Sequence, residues 1–429
     1  MWSQFLRLYL DPRIFIIFFL GFSCGVPFLL TGSTLSIWLK HEGIDYSFIG
    51  YMAITMLPYS FKFVWAPFVD HFKIPYLTHW LGRRRSWILL SQLGLMICLM
   101  GLSQVDPAKN LEFVALWGFG IAFFSATQDI VTMAYQVERL QSTQYGAGEA
   151  SGIFGYRLGM LLSGAGALYM AEFISWENIY LIMAGCISIG IVTTLICQEP
   201  DVPTSETIYF TRTSGRWFLH IIVNPFFDFM QRRGWILTLL IMFFYKLGDN
   251  LIGNMHNLLY FELGFSKIEV ANVSKIFGMW TSVFGGFVGG VMILRWGIIK
   301  SLFYAALIHG IAMLGYLIIL YYGYNVWALY GTVALEDFTS GLRITALFAY
   351  QMTCCNFAHS ATQMALLTSL VHLGRVICSA PSGLLVESFG WGPFFTLSVL
   401  SNIPVLIMVW YLARTLQEPL FYSFQKPSS

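Results

Sequence analysis

The composition of this 429-residue chain excludes a water-soluble fold. Hydrophobic residues make up 57% of the chain and charged residues only 11%, whereas a soluble globular domain has roughly 25% charged residues. The formal net charge of +2 is too close to neutral for a nucleic-acid-binding protein. We therefore expect an integral membrane protein that has the lipid bilayer, and no nucleic acid, as its partner.

Twelve apolar stretches are long enough to cross a membrane, which takes about 20 mainly apolar residues in a helix. Six spans are predicted in the N-terminal half, at residues 14–38, 46–66, 87–102, 111–135, 153–173 and 176–197. Six more are predicted in the C-terminal half, at residues 235–259, 270–293, 302–322, 326–350, 364–386 and 394–412. The predicted fold class is an all-α integral membrane bundle of twelve transmembrane helices.

A polar stretch at residues 198–234 separates the two halves. Its last part, residues 224–233, places four large apolar side chains before a pair of arginines, a pattern that favours a short interfacial helix. A solvated linker with an apolar end explains the pattern equally well. The chain is therefore divided into an N-terminal six-helix bundle (1–197), a cytoplasmic linker (198–234), and a C-terminal six-helix bundle with a short cytoplasmic tail (235–429).

Lysine and arginine are distributed unevenly between the predicted loops. If both termini are cytoplasmic, fifteen basic residues lie in cytoplasmic segments and three lie outside, at Lys40, Lys109 and Lys267. Basic loops resist translocation across the membrane. Both termini are therefore predicted to be cytoplasmic.

The two halves share a pattern that indicates an internal repeat. In the fifth predicted span Arg157 is followed by a serine, a glutamate and a tryptophan, at residues 163, 172 and 176. In the eleventh span Arg375 is followed by the same three residue types, at 379, 387 and 391. Two six-helix units in the same orientation suit a parallel repeat, with a solute site between the halves near the membrane midplane.

Ten charged residues fall inside the predicted spans beyond their first and last two residues, where each costs about 2.5 to 3.5 kcal/mol at the membrane centre unless it is paired or faces a wet cavity. The cations are Lys62, Arg157, Lys246, Lys275, Arg343 and Arg375, and the acids are Asp129, Asp249, Glu336 and Asp337. The surplus of cations indicates an anionic small-molecule solute. Arg157, Arg375 and Lys246 are candidate solute contacts.

Each of the four acids is a candidate carrier of a coupled proton, because a low-dielectric cavity raises the pKa of a carboxyl group towards neutral. Structural explanations stay open for some of the charges. Lys246 and Asp249 stand three residues apart on one helix face and can neutralise each other. Lys62, near the end of its span, can extend its ammonium group towards the membrane surface.

Signals of enzyme chemistry are missing from the sequence. The eight histidines are scattered without zinc-type spacing, and no nucleotide-binding loop or nucleophile motif is present. The seven cysteines lie in or beside apolar segments and are interpreted as packing residues. We expect no catalytic residues, no metal site and no cofactor, and we expect a monomer.

Several motifs in chain order resemble the AmpG-type muropeptide permeases of the major facilitator superfamily. They are the segments 61–70 (FKFVWAPFVD), 82–87 (GRRRSW), 125–131 (SATQDIV), 155–160 (GYRLGM), 245–249 (YKLGD) and 360–363 (SATQ) together with Gly374 and Arg375. Gln128, within the third of these segments, is added to the candidate solute contacts.

The resemblance implies a major facilitator fold in a bacterial inner membrane and import of GlcNAc-anhydromuropeptides for cell-wall recycling, with the proton gradient as the energy source. It also implies a cytoplasmic gate formed by Asp70, Arg83, Arg84 and Arg85, although these basic residues alone are explained equally by their role in topology. Eleven residues, 71–81, separate Asp70 from Gly82, more than in the usual facilitator loop. A carrier of another anionic or sugar-derived solute and a non-transporting receptor are the alternatives.

Overall fold

The computed structural model describes residues 9–45, 52–200, 217–232, 234–252, 255–379 and 381–415. Every regular element in these residues is helical, and none is a β-strand. This agrees with the predicted all-α class. Alanine, leucine and the other apolar residues that fill the spans are compatible with a helix. A helix also satisfies its own backbone hydrogen bonds within lipid.

The N-terminal half contains ten α-helices in the described residues: α1 Pro12–Leu30, α2 Ser33–His41, α3 Leu57–Phe61, α4 Ala66–His71, α5 Leu77–Leu81, α6 Arg83–Ser103, α7 Leu111–Arg139, α8 Tyr145–Leu161, α9 Ala167–Met170 and α10 Trp176–Ile196. Short 3₁₀ segments at Met52–Met56 and Lys62–Val64 interrupt the second predicted span. A π-helical segment, Leu162–Gly166, joins α8 to α9.

The remaining described residues contain thirteen α-helices: α11 Trp217–Met230, α12 Trp235–Phe244, α13 Leu247–Ile252, α14 Met255–Glu262, α15 Lys267–Val270, α16 Gly278–Trp296, α17 Ile298–Ala312, α18 Gly315–Tyr322, α19 Val326–Thr353, α20 Ser360–Ser379, α21 Ser382–Phe389, α22 Trp391–Leu400 and α23 Asn402–Thr415. Helix α11 lies in the predicted linker and begins before residue 224, where the sequence indicated a helix. Within the seventh predicted span, α12 ends at Phe244 and α13 begins at Leu247.

Eight helical stretches of the described residues are long and apolar enough to cross a membrane by length and composition. They are Pro12–His41, Arg83–Ser103, Leu111–Arg139, Trp176–Ile196, Trp235–Glu262, Ile268–Trp296, Ile298–Tyr322 and Trp391–Arg414. Helix α19 has 28 residues, enough to span, but it carries Glu336, Asp337 and Arg343. Eight of the twelve predicted spans are therefore recovered by this measure, and the other four stay predictions.

The chain is divided into two compact units. Unit 1 comprises Met1–Leu140, Ser151–Pro225 and Phe357–Ala365, and unit 2 comprises Gln141–Ala150, Phe226–Asn356 and Leu366–Ser429. Each unit therefore includes a short segment from the other half of the sequence. In unit 1, the segment 357–365 contributes Ala361 and Ala365 to an apolar cluster with residues of α1, α4 and α7.

Small residues bring helix pairs into backbone contact in both units. In unit 1, a Cβ on Gly25 would collide with the carbonyl oxygen of Tyr156 in α8, and one on Gly159 with the carbonyl oxygen of Phe22 in α1. In unit 2, a Cβ on Gly285 of α16 would collide with the carbonyl oxygen of Phe338 in α19. These close contacts fix the helices that carry the charged residues.

Candidate functional site

Five polar side chains of unit 1 form a buried network, the Asp70 cluster: Asp70, Arg84, Glu138, Ser360 and Thr362. The Arg84 Nη2 lies 2.7 Å from Asp70 Oδ1 and 2.5 Å from Glu138 Oε1, and the side chains of all three are at most 1% exposed. One guanidinium group therefore compensates two carboxylates away from water. Removing Arg84 would leave two buried carboxylates without its positive charge.

The Asp70 carboxylate also binds the first turn of α20. Its Oδ2 accepts hydrogen bonds from the Thr362 amide at 2.8 Å and the Thr362 hydroxyl at 2.6 Å, and its Oδ1 accepts one from the Ala361 amide at 3.2 Å. The first amides of a helix lack partners within the helix and carry partial positive charge. Asp70 therefore caps α20 from a distant part of the chain.

The charges around Asp70 decide its ionisation. Burial raises the pKa of this carboxyl group. The positive charges of Arg84 and Arg83 and the hydrogen bond from Thr362 lower the pKa by more than burial raises it, so the pKa of Asp70 lies below its ordinary value. Arg83 also donates from Nη1 to the Asp70 backbone carbonyl at 2.8 Å. The structure thus brings Asp70, Arg83 and Arg84 together, three of the four residues predicted for a gate.

Arg85, the fourth predicted gate residue, contacts another part of unit 1. It donates to the carbonyl oxygens of Thr194 at 2.9 Å and Leu195 at 2.6 Å, at the C-terminal end of α10. Glu199 accepts hydrogen bonds from the amides of Arg84 and Arg85 at 2.7 and 3.0 Å. Burial raises the pKa of Glu199 despite these bonds. Together these contacts fix the start of α6 against the end of α10.

A second network, the Asp249 cluster, lies in unit 2 where the seventh predicted span is interrupted: Asp249, His309, Thr339 and Arg343. The Asp249 Oδ1 is 2.5 Å from His309 Nε2 and 3.1 Å from Arg343 Nη1. The His309 Nδ1 is 2.9 Å from the Thr339 hydroxyl. Asp249 therefore contacts residues that are distant in the sequence. It also interacts electrostatically with Lys246, which is close to it in the sequence.

Further charged groups surround this cluster. Lys246 interacts electrostatically with the cations Arg343 and Arg375 and with the acids Asp249 and Glu336. Glu336 also interacts with its neighbour Asp337, whose carboxylate faces Gly278 of α16. Around Lys246 itself, three cations thus meet two acids.

Arg343 has the features of an anion-binding residue. It is 1% exposed, and its guanidinium carbon lies 4.8 Å from the centre of the Tyr245 ring. Its Nη1 binds Asp249, but its Nε and Nη2 have no hydrogen-bond partner among the described residues. Buried donors without partners are costly, and the free edge of a guanidinium group matches a carboxylate or phosphate.

Unit 1 contains a smaller charged site around Asp129. The half-buried Asp129 interacts electrostatically with Lys62 and with the Cys24 thiol. Lys62 is 3% exposed, so its ammonium group does not extend to the surface of unit 1. Gln128, on the same helix, donates to the Ser23 hydroxyl at 2.8 Å, and its Oε1 has no partner among the described residues.

The two arginines matched by the repeat differ in exposure: Arg157 on α8 is half-buried, and Arg375 on α20 is exposed. Glu138, His309 and Thr339 were not singled out from the sequence, and Ser360 and Thr362 appeared there only within the motif 360–363. The partners of these residues lie between 30 and 292 positions away, so no local pattern identifies their contacts. No group of three or more potential metal ligands occurs among the described residues.

The family and the relatives that match this chain cover most of its length. The family profile described as Major Facilitator Superfamily matches residues 14–362. The anhydromuropeptide permease of Escherichia coli K12 is 34% identical over 417 residues, covering 97% of this chain and 82% of that protein. A Rickettsia felis protein that carries the AmpG transporter name is 33% identical over 410 residues, covering 95% and 98% of the two chains.

Solved structures agree on the fold. The crystal structure of the human organic anion transporter TETRAN superposes with a TM-score of 0.66 at 16% sequence identity, covering 93% of this chain and all of that one. At this identity the similarity concerns the fold alone.

Proposed function

The chain belongs to the AmpG family of Major Facilitator Superfamily transporters, which is not an enzyme family, and we propose that it imports anhydromuropeptides by proton symport. The proposal places the chain in a bacterial inner membrane as a monomer of twelve spans in two parallel six-helix repeats, with both termini cytoplasmic. Its energy source is the proton gradient, and it needs no cofactor.

The observation that carries the proposal is the buried guanidinium group of Arg343. Its Nε and Nη2 lack partners among the described residues, and Lys246 and Arg375 add positive charge nearby. A muropeptide carries carboxylates, and a carboxylate can accept both free donors of the fork. Lys246 and Arg375 would then attract the solute, while Arg343 would orient one of its carboxylates. Arg157 and Gln128, which lie in unit 1, are separately proposed as solute contacts.

The Asp70 cluster is proposed as the cytoplasmic gate. Its contacts hold the segment 357–365 in unit 1 through Asp70, Ser360 and Thr362. Release of a solute into the cytoplasm requires this network to open. An alternating-access carrier switches between discrete states, and the proposed gate would be intact in one state and broken in the other.

Solute exchange in proteoliposomes tests the assignment. Labelled GlcNAc-anhydromuropeptide should enter vesicles preloaded with the unlabelled compound, and Arg343→Gln should reduce exchange at low solute concentration at least tenfold, because a charge-assisted bond is worth about 1.5–3 kcal/mol. Arg414→Gln is the matched control, since Arg414 lies over the Trp410 ring near the end of α23. Absence of exchange by the folded wild type would rule out the muropeptide, and exchange of another anion would favour a carrier of a different solute.

A further inference from the structure

His309 is a buried histidine with a polar partner on each ring nitrogen. Its side chain is fully buried on α17. The Nε2 is 2.5 Å from Asp249 Oδ1, and the Nδ1 is 2.9 Å from Thr339 Oγ1. An imidazolium ring donates from both nitrogens, whereas a neutral ring donates from one and accepts at the other. The two partners therefore decide which protonation states can be satisfied here.

Thr339 can serve either state without moving a heavy atom. Its hydroxyl oxygen is 2.7 Å from the Leu335 carbonyl oxygen in the preceding turn of α19. When the hydroxyl hydrogen points to Leu335, the oxygen accepts a hydrogen bond from His309 Nδ1. When the hydroxyl rotates towards His309, it donates to an unprotonated Nδ1. A rotating hydroxyl group thus lets His309 gain or lose a proton while every partner stays satisfied.

We propose that His309 carries the coupled proton, with Asp249 and Thr339 as its positioning residues; this inference rests on the proposed proton symport. In the loaded state both ring nitrogens carry hydrogen, Nε2–H donates to the Asp249 carboxylate, and Nδ1–H donates to Thr339. The proton leaves from Nδ1: the N–H bond at Nδ1 breaks and an O–H bond forms on a water molecule. His309 then keeps one hydrogen, on Nε2, which still donates to Asp249, and the Thr339 hydroxyl rotates and donates to Nδ1.

The surrounding charges link this proton to an anionic solute. Asp249 and Lys246 from the segment 246–249 and Arg343 from α19 interact with His309, and Glu336 interacts with Asp249. From α23, which also packs on α17, the neutral Asn402 lies beside Gly310. Protonation of His309 adds positive charge beside Lys246 and Arg343, where the solute carboxylate is proposed to bind. Proton and solute should therefore strengthen each other's binding, by equal factors.

The first test measures proton and solute movements together. Full-length protein is reconstituted in vesicles that contain a pH-sensitive dye, and labelled GlcNAc-anhydromuropeptide is added outside. The wild type should move protons inward with solute. His309→Gln should lower the number of protons moved inward per solute at least tenfold. His372→Gln, at an exposed position of α20, is the control and should behave as the wild type. Proton influx by His309→Gln at the wild-type ratio would overturn the inference.

The second test uses Thr339 in case His309→Gln fails to fold. Thr339→Val removes the hydroxyl at nearly constant shape, so the loaded state loses the acceptor for Nδ1–H. The pH midpoint of solute uptake should shift to lower pH by about one unit, because a hydrogen bond to a charged group is worth about one pKa unit or more. Thr339→Ser keeps the hydroxyl and should stay within a few tenths of the wild type. An unshifted midpoint in Thr339→Val would overturn the inference.

The outcomes separate this inference from the function on which it rests. A folded wild type without solute exchange refutes the muropeptide assignment, whatever His309 does. A wild type that exchanges and takes up solute without any proton influx leaves transport in place and overturns the role of His309. A ratio of protons to solute that falls at least tenfold in His309→Gln supports both.

Discussion

Asp70→Asn is the substitution that best tests the Asp70 cluster, because it keeps the shape of the side chain and removes its charge. Asp70 accepts four hydrogen bonds, from Arg84, the Ala361 amide, and the amide and hydroxyl of Thr362. The amide nitrogen of asparagine is a donor, so at least one carboxylate oxygen loses its donors. Breaking a buried ion pair by removing one partner costs about 3–5 kcal/mol. We expect the free energy needed to open the segment 357–365 to fall by that amount.

Hydrogen exchange of peptides covering residues 357–365 measures this opening directly. A change of 3 kcal/mol corresponds to exchange that is about 100-fold faster, since about 1.4 kcal/mol is tenfold. Asp106→Asn is the control, because Asp106 pairs with Lys109 in an exposed loop, where such pairs contribute little. Unchanged exchange of 357–365 in Asp70→Asn would refute the reasoning, and so would an equal acceleration in every peptide of the protein.

Two further predictions concern stability. The pKa of Asp70 in the folded protein lies below its ordinary value, so the contribution of Asp70 to the free energy of unfolding is fully present above about pH 3.9 and is lost as the pH falls through the folded pKa. In thermal unfolding in detergent, Tm should therefore fall more steeply with acid for the wild type than for Asp70→Asn. Parallel curves for the two proteins would contradict this. Gly25→Ala should lower Tm by placing a Cβ against the Tyr156 carbonyl oxygen, at a cost of about 1–3 kcal/mol. Gly185→Ala, with nothing within 4 Å of the added atom, should be neutral or stabilising, and equal losses in the two variants would speak against the close contact of α1 and α8.

Much of the fold could be predicted because a membrane imposes a simple pattern. Length and hydropathy predicted the apolar stretches, eight of which the structure recovers by the same measure. The interruptions were harder to predict. Residues 235–259 are apolar enough for one helix, yet the structure divides them into shorter helices around Lys246 and Asp249, where tertiary contacts with His309 and Arg343 replace local ones.

The candidate sites could be predicted only in part. The resemblance indicated Asp70, Arg83 and Arg84, which do meet, but Glu138 is an ordinary acid at the end of an amphipathic helix in the sequence. Ser360 is 276 positions from Arg84, and no local spacing connects them. His309 was one of eight scattered histidines. Its pairing with Asp249 depends on how α17 lies beside α13, which the sequence pattern of apolar helices does not specify.

Proton-driven accumulation of GlcNAc-anhydromuropeptide tests the central claim most directly. Wild-type protein is reconstituted in sealed vesicles, and uptake of the labelled compound is followed with an imposed pH gradient, acid outside, and again after a protonophore has collapsed the gradient. The proposed symport predicts accumulation inside above the external concentration, which falls to simple equilibration with the protonophore. Uptake that only equilibrates under both conditions, or no uptake by the folded protein, would contradict it.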